Sequence, residues 1–235
     1  MRFRKEQNQT FSDFINLTKG IKMAHTTTDT TGVTAERLLK EAESLFAKKG
    51  FEGVSVREIT TKAKCNLAAV NYHFGNKKNL YLEVFRSRWV PRAKRLQQYF
   101  KTELPPDPSL QELVKTLAQS FLAGPMPDED RCRHFQLMSR ELGRPTEAFD
   151  LVADQVMKPF FKELAQRFDS CLGETCEKDA LLLDLLSVFA MVLYFSFARE
   201  AVTRITGRGY DEDFKACLVK QIAEFSLQGL RGRLS

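Results

Sequence analysis

Residues 54–80, VSVREITTKAKCNLAAVNYHFGNKKNL, decide the fold. They read as two short helices joined by a four-residue turn, followed at once by the start of a third. Ser55 and Glu58 stand three apart, the spacing of a capping box, in which hydroxyl and carboxylate each satisfy a free amide of the first turn. Val56, Ile59 and Ala63 give that helix one inward face. Asn66 is a good cap for the next helix, since its side-chain oxygen can accept an amide proton two or three residues on. Val70 and Phe74 then point inward and leave Leu67, Ala68, Asn71 and Tyr72 outward. Asn76 caps the third helix, with Lys77 and Lys78 beside the aromatic end Tyr72-His73-Phe74. Two short helices around a tight turn, the second showing small and polar side chains, are the geometry that places a helix in the DNA major groove.

Outward from this stretch every segment reads as helix, so the expected fold class is all-α, with about nine helices. Ala35, Leu38, Leu39, Ala42, Leu45 and Phe46 form an apolar stripe that Gly50 ends. The helix opening at Asn76 runs through Leu80, Val84, Phe85 and Trp89, and Pro91 should kink or break it. Beyond the PPDPS segment, helices fit residues 109–123, 128–142, 146–171, 177–205 and 211–229, with GPMP, GRP and TGRG between some of them. No alternating β pattern and no internal repeat appears. Residues 1–33 read as a flexible N-terminal extension, with TTTDTTG over 26–32 as a polar linker; the competing reading is a basic arm that touches DNA. The domains are then 34–80, a helix-turn-helix unit, and 81–235, a larger helical unit.

Charge divides along the same line. Residues 1–100 hold 19 Lys and Arg against 9 Asp and Glu, while the remaining 135 hold 17 against 21. A basic N-terminal part on an acidic C-terminal part points one end at a polyanion. The five cysteines are scattered without a CxxC pair, which fits reduced thiols in a cytoplasm and no metal site. The longest uncharged run, Leu185 to Ala198, has 14 residues, short of the ~18 that a spanning helix needs, so no membrane segment is expected. No Ser-His-Asp set, carboxylate pair or phosphate-cradling glycine loop argues for an enzyme, and no cofactor is implied.

The run from AERLLKEAESLFAKKGFEGVSVREI, opening near Thr34, to about Arg95 resembles the N-terminal domain of the TetR family of transcriptional regulators. AAVNYHFGNKKNLYLEVF, and further on RELGRPTEAFD with KPFF, resemble its CecR-type subgroup. Lys64 departs from the pattern, which usually has Gly in the turn. The resemblance implies that Ser55, Tyr72, His73 and Lys77 bind phosphates of double-stranded DNA. Asn66 opens the recognition helix. Arg57, Leu67, Ala68, Ala69 and Asn71 would face base edges, where Asn suits adenine, Arg suits guanine, and Ala and Leu pack on thymine methyls.

Residues 177–205 are apolar almost all the way round, so that helix must be covered on more than one side. The resemblance implies a homodimer through helices 177–205 and 211–229, whose two reading heads meet two half-sites. CRHFQLMSREL (132–142) and VMKPFF (156–161) gather Met, Phe, His, Arg and Glu, and His134, Met138, Arg140, Glu141, Met157, Phe160 and Phe161 are the candidate effector-binding residues. The function implied is a cytoplasmic, ligand-responsive repressor released by a small hydrophobic or drug-like effector. The alternatives are a protein-binding helical adaptor and a redox-responsive regulator acting through Cys65.

Overall fold

The computed structural model describes residues 26–172 and 178–231, and among them there is no β-strand. The chain order is α1 (Thr26–Lys49), α2 (Val56–Lys62), α3 (Ala68–Phe74), α4 (Lys77–Val84), α5 (Val90–Glu103), α6 (Leu110–Leu122), α7 (Asp128–Gly143), α8 (Glu147–Val152), α9 (Lys158–Leu172), α10 (Lys178–Phe197), α11 (Arg199–Thr206) and α12 (Glu212–Arg231). Two π-helical turns, Phe85–Trp89 and Ala153–Met157, fuse α4 to α5 and α8 to α9, so the described residues form ten rods.

The tenth rod comes from a break that the apolar run over 177–205 did not reveal. The helix ends at Phe197, and α11 restarts at Arg199. Arg199 turns toward α7, 3.5 Å from Asp128 and 3.2 Å from the Cys132 thiol, with its guanidinium 4.3 Å over the Tyr210 ring. Pro91, in contrast, breaks nothing. It sits in the first turn of α5 directly after the π-turn, and the carbonyl its ring would strike, four residues back at Ser87, lies inside that widened turn. A second correction concerns 26–32, read as a linker: the backbone there is already the first part of α1. The extension before residue 26 lies outside the described residues, as does Cys176.

Local caps follow the sequence closely. Ser55 accepts the Glu58 amide at 3.1 Å, and Asn76 accepts that of Asn79 at 2.8 Å. The capping box read at Ser55–Glu58 is only half made, because the Glu58 carboxylate reaches across to Lys49 Nζ at 2.6 Å. The complete box belongs to Ser109 and Glu112 at the start of α6. Lys64 in the α2–α3 turn has φ 51°, the one non-glycine in the left-handed region among the described residues. Placing a Cβ there costs about 1–2 kcal/mol. Lys64→Gly should therefore stabilise the protein by about 1 kcal/mol, the gain being reduced by glycine's looser unfolded chain. A higher urea midpoint at unchanged slope is the expected result, and a lower midpoint contradicts it.

Two cores form. The first gathers the inward faces of α5, α6, α9, α10 and α12 around Leu96, Leu117, Phe168, Leu185 and Ile222. The second packs α1–α4 around Phe46, Ile59, Val70 and Leu80, and continues into Trp89, Leu137, Met138, Val152 and Val156. The boundary placed at residue 80 thus falls within α4, and the core of the N-terminal unit extends into α7 and α8. Buried charges join the same elements: Arg92 of α5 bonds Glu43 of α1 in the interior and reaches Asp130 of α7 at 3.2 Å.

One described helix, Asp179–Phe197, is long and apolar enough by length and composition to cross a membrane. The sequence count stopped short because Asp184 interrupts it. In the fold its Leu181, Leu185, Val188 and Val192 are buried, while Leu182, Leu183, Leu186, Tyr194 and Phe197 are exposed. A groove between α10 and α12, lined by Met191, Tyr194, Ile222 and Phe225, continues that exposed face.

Candidate DNA interface and effector cavity

The helix-turn-helix stands on a small rigid core. Asn66 closes the turn before α3 by accepting the Ala68 amide at 3.0 Å, and Val70 is fully buried beneath the helix. The opposite face then projects by helical necessity: Leu67, Ala68, Asn71 and Tyr72 are exposed, Tyr72 to 77%, and Ala69 is half-buried. Arg57 is exposed on α2, and Ser55 is exposed at its cap. Tyr72 and His73 stack edge to face, with centroids 4.9 Å apart. The Lys77 ammonium lies 4.2 Å from the Phe51 centroid, a cation–π contact. The ten sequence-predicted residues from Ser55 to Lys77 therefore lie on, between or at the cap of α2, α3 and α4, which pack on one core. Phe74, read as inward, is only half-buried against the core.

Cys65 is different. Its thiol donates to the Thr60 carbonyl at 3.8 Å, and burial pushes its pKa up. A redox-sensing thiol needs the opposite shift, toward thiolate.

The cavity lies where α5, α6, α7, α9 and α10 meet. Trp89, Ala93 and Gln97 form one face of the α5 rod, and His134, Met138 and Leu142 form one face of α7. Val156, Met157, Phe160 and Phe161 come from the second π-turn and α9, Phe189 and Leu193 from α10, and Phe121 from α6. Five of the seven predicted effector residues are brought together: His134, Met138, Met157, Phe160 and Phe161. Arg140 and Glu141 are not in this wall; they line a separate pocket with Gly50, Tyr81 and Thr146. They point away from the cavity, into the junction with the N-terminal unit. Arg140 donates from Nε to the Ala47 carbonyl at 3.0 Å and from Nη2 to the Lys48 carbonyl, capping the C-terminus of α1. Gly50, at φ 74°, leaves room for it: a Cβ there would lie 3.3 Å from Arg140 Nη1. Glu141, buried, accepts from the Tyr81 hydroxyl at 2.6 Å and from the Thr146 amide at 2.9 Å. Lys78 completes the junction with Glu147 at 2.6 Å.

Sequence reasoning missed Trp89, Ala93, Gln97, Phe121, Phe189 and Leu193. The i, i+4, i+8 series 89-93-97 was a usable signal for one shared helical face. Nothing in the linear order joined it to residues 134 or 189.

His134 is the unusual wall residue. Its ring lies flat on Trp89, centroids 4.3 Å apart and planes at 10°. Its side chain is 2% exposed, and Nδ1 has no hydrogen-bond partner. Burial, with Arg92 and Arg131 nearby, pushes its pKa down from 6.5 to about 3. The unfolded chain then holds a proton that the folded protein rejects between those values, so stability falls as pH drops through that window, by at most ~1.4 kcal/mol per pH unit. Urea midpoints should fall from pH 6.5 to 4.5, and His134→Phe should flatten that decline. An unchanged slope in the variant contradicts it.

Residues 107–230 match the profile of the C-terminal domain of the HTH-type transcriptional dual regulator CecR, and residues 38–84 match that of bacterial regulatory proteins of the tetR family. The chain is 26% identical to the dual regulator CecR of Shigella flexneri over 212 residues, 84% of this chain and 93% of that one. It is 28% identical over 92 residues to the transcriptional repressor NicS of Pseudomonas putida, covering 39% of this chain and 43% of that protein. In structure it resembles a tetR-family regulatory protein of Rhodococcus RHA1, with TM-score 0.60, 17% identity and coverage of 83% and 95%. A transcriptional regulator of Saccharomonospora viridis solved with choline follows at TM-score 0.56 and 19% identity, covering 81% of this chain and 95% of that one.

Proposed function

Since the chain belongs to the TetR family of DNA-binding transcriptional regulators and carries the CecR-type C-terminal domain, we propose that it is a homodimeric, ligand-responsive repressor. It occupies a near-palindromic operator and leaves when a small hydrophobic molecule enters the cavity beside Trp89 and His134. The observation that carries this reading is the junction of α7 with α1. The helix that walls the cavity with His134 and Met138 also caps α1 with Arg140 and binds Tyr81 of α4 through Glu141. A molecule that displaces α7 by an ångström therefore strains the contacts that set the angle of the reading head. Binding energy differing between the two angles is what such a switch needs. The cavity is about 50 Å³ as it stands, so a drug-sized ligand has to move its walls. Met138 and Met157 are suited to that by their flexible thioethers.

The exposed apolar face of α10 and its groove with α12 take a second copy, which sets two α3 helices on successive half-sites. Tyr72, His73, Lys77 and Ser55 bind phosphate oxygens, and Arg57, Leu67, Ala68, Ala69 and Asn71 meet base edges. The work is done in the cytoplasm, where the DNA is, and involves no catalysis and no cofactor. Selection of bound sequences from a random duplex pool tests this. The expected product is a two-fold-related motif, and Asn71→Ala should relax preference at one position per half-site, by ~1–3 kcal/mol. A pool that shows no motif contradicts the reading.

A further inference from the structure

The polar content of the cavity wall is very small. Trp89 Nε1 is committed to the His134 carbonyl at 2.9 Å, and Gln97 Nε2 is held by the Val156 carbonyl at 3.3 Å. No carboxylate, ammonium or guanidinium lines the space. The two arginines nearest His134 are occupied elsewhere. Arg92 bonds Glu43 and Asp130, and Arg131 donates to the Phe121, Gly124 and Met126 carbonyls. That leaves the Gln97 side-chain oxygen and, deeper in the wall, the imidazole of His134, which is buried, flat on Trp89, and has one nitrogen unpartnered. A buried polar atom without a partner is costly, and native proteins rarely keep one without a use.

Resting on the reading of this cavity as the effector site, we propose that it takes an uncharged aromatic molecule bearing a single hydrogen-bonding group, and that His134 is the residue that selects that group. The ring suits walls of Phe121, Phe160, Phe161 and Phe189, where edge-to-face contacts already form between Phe121 and Phe189 at 5.2 Å and Phe161 and Phe189 at 5.1 Å. An anion finds no counter-charge in the wall and loses its hydration there. A cation meets no carboxylate, and its neighbours beyond the wall are Arg92 and Arg131, charges that add to burial in keeping the imidazole neutral. Size sets a further limit. The space of about 50 Å³ is well below the roughly 150 Å³ of an apolar cavity known to hold benzene, so even a single ring enters only as Met138 and Met157 rotate.

Trp89 is the only tryptophan of the chain, so its fluorescence reports this cavity directly. The full-length protein is titrated with p-cresol, toluene, benzoate and benzyltrimethylammonium. p-Cresol should bind ~3–10-fold tighter than toluene, the worth of one neutral hydrogen bond, and both ions should bind far more weakly than either. His134→Phe keeps a ring on Trp89 and should erase the preference of p-cresol over toluene. His134→Gln, which restores a polar end, should recover part of it. Toluene equalling p-cresol on the unaltered protein, an ion binding tightest, no probe binding, or a preference unchanged in His134→Phe would each overturn the proposal. The effector reading fails separately. p-Cresol that binds with the expected preference yet leaves operator occupancy unchanged contradicts release by the cavity and keeps the ligand class.

Discussion

Leu183→Asp and Phe225→Asp should each turn the protein into a monomer and abolish tight operator binding. Leu183 is 61% exposed on α10 and Phe225 is 62% exposed on α12, although another face of each helix packs into the core. Phe225 lines the apolar groove and Leu183 extends the exposed face of α10, the face on which the proposed dimer places its second copy. A carboxylate there costs the monomer little, since it meets water, but in the dimer it must be buried against hydrocarbon without a partner. In the proposed dimer operator affinity depends on both reading heads binding together, and two linked heads exceed one by ~10²–10⁴ in affinity. Sedimentation should show half the mass, with the helical circular dichroism retained. A variant that stays dimeric, or a monomer that binds the operator undiminished, contradicts the placement of the interface.

The second large effect concerns the interior. Arg92→Ala should destabilise the protein by ~3–5 kcal/mol, because it strands the Glu43 carboxylate in the core. Glu43 is buried on α1, and Arg92 is its only hydrogen-bond partner of opposite charge in the described residues. The same guanidinium also ties Asp130 of α7 to the pair. The penalty comes from the orphaned charge more than from the lost attraction, so replacing both residues should cost much less. Arg92→Leu with Glu43→Leu is expected to recover most of the loss. A double variant as unstable as Arg92→Ala would show that packing, not charge, governs the site. The pair lies between the reading head and the body, so the single variant should also weaken DNA binding before the protein unfolds globally.

The helix-turn-helix was legible in the chain because its signals are local. Ser55, Asn66 and Asn76 act within three residues of themselves, and Val70 opposite Asn71 orients α3. The left-handed Lys64 was likewise foreshadowed by the glycine expected in its place. What was missed depends on contacts across long separations. The break at Ala198 is accompanied by Arg199 reaching Asp128, 71 residues earlier, inside a run that is otherwise uniformly helical. Glu141 was rightly singled out as a charge that needs a buried reason, whereas Arg140 is exposed and serves the α1 carbonyls. Their partners, the α1 carbonyls and the Tyr81 hydroxyl, lie 60 to 93 residues away, and no spacing rule connects them. The cavity wall was half found for the same reason. Its α7 and α9 segments carry Met and Phe that draw notice, whereas Trp89, Ala93 and Gln97 read as ordinary connector helix. Glu58 shows that a correct local motif can still be overridden, since Lys49 takes the carboxylate that the capping box would use.

The most direct test of the account is binding of the purified protein to the DNA upstream of its own gene, titrated with salt. Tight binding that exceeds random duplex and falls steeply with salt is predicted, and Lys77→Ala should reduce the logarithmic salt slope by about one unit without changing base preference. Weak binding, equal on random DNA and indifferent to Lys77→Ala, would contradict the account and favour a helical adaptor whose basic face is incidental.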